Sequence, residues 1–109
     1  MKIIFSPEVE EYLFELVKIL YEKEYFGFRE SAVQYVTELI LEIRDGLGTS
    51  LKRIAPDSFS KYGENLHYAS FRKNKTTQWF VFFSTYDNDG EIIYLVRYIS
   101  NNHMIASLF

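Results

Sequence analysis

The sequence predicts an α+β fold, with an N-terminal strand, an antiparallel helical hairpin, and then a three- to four-stranded antiparallel sheet. Three observations predict it. Apolar residues recur at helical spacing over residues 9–20 and again over 33–47. Three aromatic or β-branched runs follow, each bounded by turn residues. A short β-favouring stretch, Lys2 to Phe5, precedes all of them.

That first strand closes at Ser6-Pro7, where a serine can cap a helix and a proline suits its first turn. The first helix carries its apolar face on Val9, Tyr12, Leu13, Leu16, Val17 and Leu20, with glutamates opposite, and is expected to end near Glu24. Tyr25-Phe26-Gly27-Phe28 breaks the period. Ser31 with Gln34 three residues on matches a capping box, which sets a second helix start near Ala32. Its stripe is Val33, Val36, Leu39, Ile40, Ile43 and Leu47, and Gly46 and Gly48 end it. So short a connection makes the two helices an antiparallel pair sharing one buried surface.

Residues 49–65 hold Gly, Pro, Ser and alternating charges without a sustained period, and read as an irregular connection to which no function is assigned. The runs at 66–71, 78–86 and 91–99 form a meander. Its second turn, Asp87-Asn88-Asp89-Gly90, has residues that tolerate the positive φ a hairpin needs. The segments WFVFF (79–83) and IIYLV (92–96) do not alternate, so both of their faces must be covered. The helices cover one. No other segment is long enough for the second face, which implies a strongly curled sheet or an apolar groove awaiting a partner. The tail from Asn101 to Phe109 reads as a short helix or strand whose Leu108-Phe109 end docks.

At 109 residues, with 48% hydrophobic and 18% aromatic side chains, the chain suits a single domain over 1–109 with one core. The absence of cysteine excludes a disulfide framework, a thiolate nucleophile and a cysteine zinc site. Ile3, Ile4 and Phe5 are too short an apolar run for a signal peptide or a membrane span, so no membrane association and a cytoplasmic location are expected. A net charge of -3 argues against a general nucleic-acid binder. The charges are uneven, however: acidic residues crowd the first half, and a basic knot lies at Arg72, Lys73 and Lys75.

The order β-α-α-β-β-β, the segment FRKNKTTQWFVFFS (71–84) and the segment YLVRYISNNH (94–103) together resemble the RelE/ParE superfamily of bacterial toxin-antitoxin modules. Trp79, Phe82 and Phe83 on one strand, and Asn101-Asn102-His103 after the last, carry the likeness most directly. The resemblance implies a small toxin neutralised by a cognate antitoxin protein lying across the sheet and helical hairpin. RelE-like members cleave mRNA on the ribosome without metal or cofactor; ParE-like members inhibit DNA gyrase. A degenerate member that only binds a partner would share the fold as well. The doubly apolar strands favour a homodimer or a heteromer over a lone monomer.

RNA cleavage by the 2′-hydroxyl needs a proton acceptor, a proton donor and cations where charge develops on phosphorus. The candidates are Arg97, His103, Arg72 and Lys73 as catalytic residues, Lys75 as a phosphate contact, and Tyr98 as a base-stacking ring. Arg72, Lys73 and Lys75 also fit a solvated turn. Arg97 interrupts an apolar strand, so its charge must reach solvent, a phosphate or a helix glutamate. His103 is of a residue type suited to acid-base work but equally suits a cap on the terminal segment. Tyr94 and Trp79 are alternative stacking rings, with core packing their plainer role. His67 reads as a sheet residue, and two distant histidines make no metal site, so none is expected.

Overall fold

A computed structural model describes residues 1–23 and 27–105, with side chains described through His103. The elements are β1 (Lys2–Phe5), α1 (Pro7–Glu22), α2 (Arg29–Gly46), β2 (Arg53–Ile54), a 3-10 helix (Asp57–Tyr62), β3 (His67–Arg72), β4 (Gln78–Asn88), β5 (Glu91–Asn101) and α3 (Asn102–Ile105). The α+β class and the β-α-α-β order stand as expected. The sheet has five strands rather than three or four, in the order β1-β5-β4-β3-β2.

It is also mixed, because β1 pairs parallel to β5 while every other pair is antiparallel. Parallel neighbours need a long connection, and here the helices and three other strands supply one. Beside them, β4 and β5 are joined by the two-residue turn Asp89-Gly90, both at positive φ (51° and 89°), and the Asp87 carboxylate accepts from the Gly90 N–H. Asp-Gly is the pair such a turn favours.

The start of α1 follows its sequence signal: Ser6 accepts from the Val9 N–H at 3.2 Å and Pro7 opens the first turn. α2 departs from expectation. It begins at Arg29 behind an extended Phe28, with no side-chain cap, so Ser31 lies inside the helix. The Ser31 N–H already donates to the Phe28 carbonyl and Gln34 donates to Glu38, leaving no reciprocal capping box. The buried stripe is accordingly Ala32, Val36, Leu39 and Ile43, and Val33 is exposed. The expected helix end at Glu24, the break at Tyr25 and Phe26, and the docking Leu108-Phe109 tail lie outside the described residues.

The main core lies between the helices and one face of the sheet. Val9, Leu13 and Leu16 of α1 and Val36, Leu39 and Ile43 of α2 meet Trp79, Val81, Phe83, Tyr94, Val96 and Ile99. Trp79 donates its indole N–H to the Tyr35 hydroxyl at 2.9 Å, tying sheet to α2. On the opposite face a second cluster of Phe59, Leu66 and Phe82 is flanked by Tyr62, Tyr68, Phe80 and Tyr98. Residues 49–65 are thus no mere connection. Their 3-10 helix lays Phe59 on Phe82 with centroids 4.4 Å apart, covering the sheet face for which no segment was expected. One well-placed aromatic suffices where a full helix was sought.

Phe59 is fully buried although its helix has only six residues. Replacing Phe59 with alanine is expected to cost about 3–5 kcal/mol, as for other buried phenylalanine truncations. Urea unfolding of Phe59→Ala measures it, and a loss below about 1 kcal/mol would show that the second cluster contributes little.

Candidate functional site

β5 carries one residue more than β4 can match. Phe82 opposes Tyr98 and Phe83 opposes Val96, so Arg97 has no partner across the ladder and forms a β-bulge. A bulge locally breaks the alternation of a strand. Arg97 and Tyr98 therefore both reach the face opposite the helices. Tyr98 meets Phe82 there, while the Arg97 Nε donates to the Ser84 hydroxyl at 3.1 Å and its Nη2 donates to the Tyr86 hydroxyl at 3.3 Å. Among the described residues Arg97 makes no ion pair, so its contacts hold the guanidinium in place without neutralising it.

Arg97 lines a cleft of about 430 Å³ between the start of α1, the end of the 3-10 helix and β5. That volume is within the range of small-ligand sites. Glu8 and Tyr12 come from α1, Lys61 and Tyr62 from the 3-10 helix, and Arg97 and Tyr98 from β5. Gly63 ends the 3-10 helix at φ +152°, and a Cβ there would sit 2.9 Å from the Arg97 Cδ. The glycine both makes the turn and admits the arginine.

Three tyrosines respond to this setting. Burial pushes Tyr12 up to about 12, with the charges of Tyr98 and Tyr35 adding to the rise. Tyr98 is raised as well, chiefly by burial. Tyr86, on the exposed side of Arg97, is lowered by the hydrogen bond from that guanidinium. Tyr62 and Tyr98 stack with centroids 3.8 Å apart and planes 6° from parallel, and the Lys61 ammonium lies 5.2 Å from the Tyr62 centroid.

Of the residues singled out from the sequence, the structure brings Arg97 and Tyr98 to this cleft and takes the others elsewhere. The helix-glutamate ion pair considered for Arg97 is not made among the described residues, although Glu8 of α1 lines the same cleft. Tyr98 is not an open stacking surface, since Tyr62, Phe82 and Phe59 crowd its ring. Lys73 lies on the helix side, 2.9 Å from Glu42, 3.9 Å from Glu38 and 5.0 Å from the Tyr35 ring centroid, an arrangement that spends its charge on α2. Arg72 and Lys75 are exposed at the β3–β4 end, and Asn74 organises that turn by accepting from Thr76 and Thr77. His103 is exposed past β5, with its N–H on the Asn101 side chain. Trp79 and Tyr94 are core residues, and His67 packs near Phe83.

In the sequence Glu8 and Tyr12 are legible only as members of the acidic and apolar faces of α1, and Lys61 and Tyr62 escaped sequence reasoning. Lys61-Tyr62-Gly63 belongs to the stretch read as a bare connection. The one available signal was a lysine beside a tyrosine just before a turn glycine.

Two outcomes test this geometry. Because the folded value for Tyr12 lies above the unfolded one, the folded protein keeps a proton that the unfolded chain loses. Stability from this group is full below about pH 10 and declines as pH rises towards 12. Tyr12→Phe is expected to shed that part of the alkaline loss in pH-dependent urea unfolding, and identical profiles would refute the assignment. Gly63→Ala is expected to displace Arg97 and strain the turn, lowering stability by about 1–3 kcal/mol, measured by thermal unfolding. No family model, curated protein or solved structure matches this chain, so the chemistry of the cleft carries the functional reading.

Proposed function

We propose that the chain is the toxin of a bacterial toxin-antitoxin module, a RelE-like endoribonuclease that cleaves mRNA in the Arg97 cleft. The observation that carries the reading is an arginine that makes no ion pair among the described residues, held by two hydroxyls in a cleft that a lysine and three tyrosines also line. Such a site suits a phosphodiester: the two cations hold the phosphate and offset the charge that grows on it. The Glu8 carboxylate, in the first turn of α1, accepts the proton of the attacking 2′-hydroxyl. The Tyr98 hydroxyl donates to the departing 5′-oxygen. The 2′-oxygen bonds to phosphorus as the bond to the 5′-oxygen breaks, leaving a cyclic phosphate and a free 5′-hydroxyl.

The negative net charge does not oppose this. Ten of the fifteen acidic residues fall between Glu8 and Asp45, together with four of the twelve basic ones. The remainder of the chain holds eight basic and five acidic residues, a local excess of positive charge. Lys73 is paired with α2, but Arg53, Lys61, Arg72 and Arg97 make no ion pair among the described residues, so their charge is open to an RNA backbone.

Expression in a bacterial host, following growth, mRNA integrity and plasmid supercoiling together, tests the proposal. Growth arrest with cut mRNA is expected. With purified protein, Arg97→Ala and Lys61→Ala should each lower cleavage by roughly 10²–10³, and Glu8→Gln by roughly 10²–10⁴, with thermal unfolding little changed. Arrest with altered supercoiling and intact mRNA would replace the nuclease reading with gyrase inhibition.

A further inference from the structure

The face of the sheet that bears the Arg97 cleft continues across β4 to β3 and β2, on the far flank of the 3-10 helix. Register sets out what it presents. Arg53, Tyr68 and Phe82 share one row, Ser70 and Phe80 the next, and Arg72 and Gln78 the last. Tyr68 and Phe80 are half-buried, with ring centroids 6.0 Å apart. Arg53, Ser70 and Arg72 are exposed. Between β2 and β4 the surface sinks into a groove of about 390 Å³, with Tyr68 and Phe80 in its lining and Arg53 on its wall.

No carboxylate lines this groove. The chain around it is acid-free over a long stretch: from Asn65 to Tyr86 there is neither Asp nor Glu, while Arg72, Lys73 and Lys75 all fall within it. Among the described residues neither Arg53 nor Arg72 forms an ion pair. An exposed guanidinium in the lining, Arg53, and a second on the same sheet face, Arg72, flank aromatic rings in a groove lined by no carboxylate, and make a site for an anion that also carries flat apolar groups. Single-stranded nucleic acid has that chemistry: phosphates for the arginines, base faces for Tyr68 and Phe80, and base edges for Ser70 and Gln78.

We infer that this groove is a second binding site, for a single-stranded RNA segment outside the scissile bond. Its purpose rests on the nuclease reading of the Arg97 cleft, but its binding does not. Tyr68 and Tyr98 stand on strands flanking β4, two strand spacings or roughly 10 Å apart, so one RNA chain can span both flanks of the 3-10 helix. Arg72, opposite the groove-lining Gln78, therefore works as a phosphate contact beside this groove, away from the reacting bond.

The test is fluorescence anisotropy with a labelled 2′-O-methyl oligonucleotide about eight nucleotides long, which binds as RNA but cannot be cleaved. The double variant Arg53→Ala, Arg72→Ala is expected to bind roughly tenfold or more weakly, with the slope of log affinity against log salt reduced by about 1.4, as two lost phosphate contacts require. Arg97→Ala should retain more binding than the double variant. Equal affinity and equal salt slope for the double variant and the parent would overturn the inference. So would no binding at low salt, which would leave the groove to a protein partner. Cleavage of the unmodified oligonucleotide separates the two claims. Groove-dependent binding without cleavage defeats the nuclease reading alone; Arg97-dependent cleavage with an indifferent double variant defeats the groove alone.

Discussion

The structure depends on one constraint: the β4–β5 hairpin is apolar on both faces and must be covered on both. Val81, Phe83, Tyr94 and Val96 need the helices on one side, while Phe82 and Tyr98 need something on the other. The hydrophobic effect sets the demand, since each large aromatic left in water forgoes on the order of 2–3 kcal/mol. The second covering is small, a 3-10 helix anchored by Phe59, and its size matters. It leaves open ground on either flank, the Arg97 cleft on one and the Arg53 groove on the other.

The bulge at Arg97 is the second device. Without it, alternation would carry Arg97 and Tyr98 to opposite faces of the sheet. One unmatched residue moves both to the same face, while Tyr94, Val96 and Ile99 still reach the core under the helices. The cost is a break in the ladder, offset by Ser84 and Tyr86, whose hydroxyls take up the guanidinium N–H groups. Gly63 completes the arrangement, for a side chain there would collide with Arg97. Site and fold are coupled at this point.

Electrostatics divides the molecule the same way. Lys73 looks in sequence like part of a basic knot with Arg72 and Lys75, yet it faces the helices and pairs with Glu42 and Glu38. Arg72, one residue earlier, faces the other way. Neighbours on a strand point to opposite faces, so a linear cluster of cations becomes a structural ion pair on one side and, at Arg72, an exposed guanidinium with no ion pair among the described residues on the other.

What the sequence determined by itself was local. Helical spacing located α1 and α2, Ser6-Pro7 located the start of α1, and Asp89-Gly90 located the hairpin turn, because each rests on contacts or dihedral angles within a few residues. It also marked Arg97 as a charge in need of a destination. Tertiary structure alone decided that destination. The parallel pairing of β1 with β5, the two-residue β2, the landing of Phe59 on Phe82 and the bulge all depend on groups far apart in the chain. Lys61 and Tyr62 gained significance only when the 3-10 helix brought them to Arg97, a meeting that no periodicity in residues 49–65 announces, since it is imposed by the apolar face beneath.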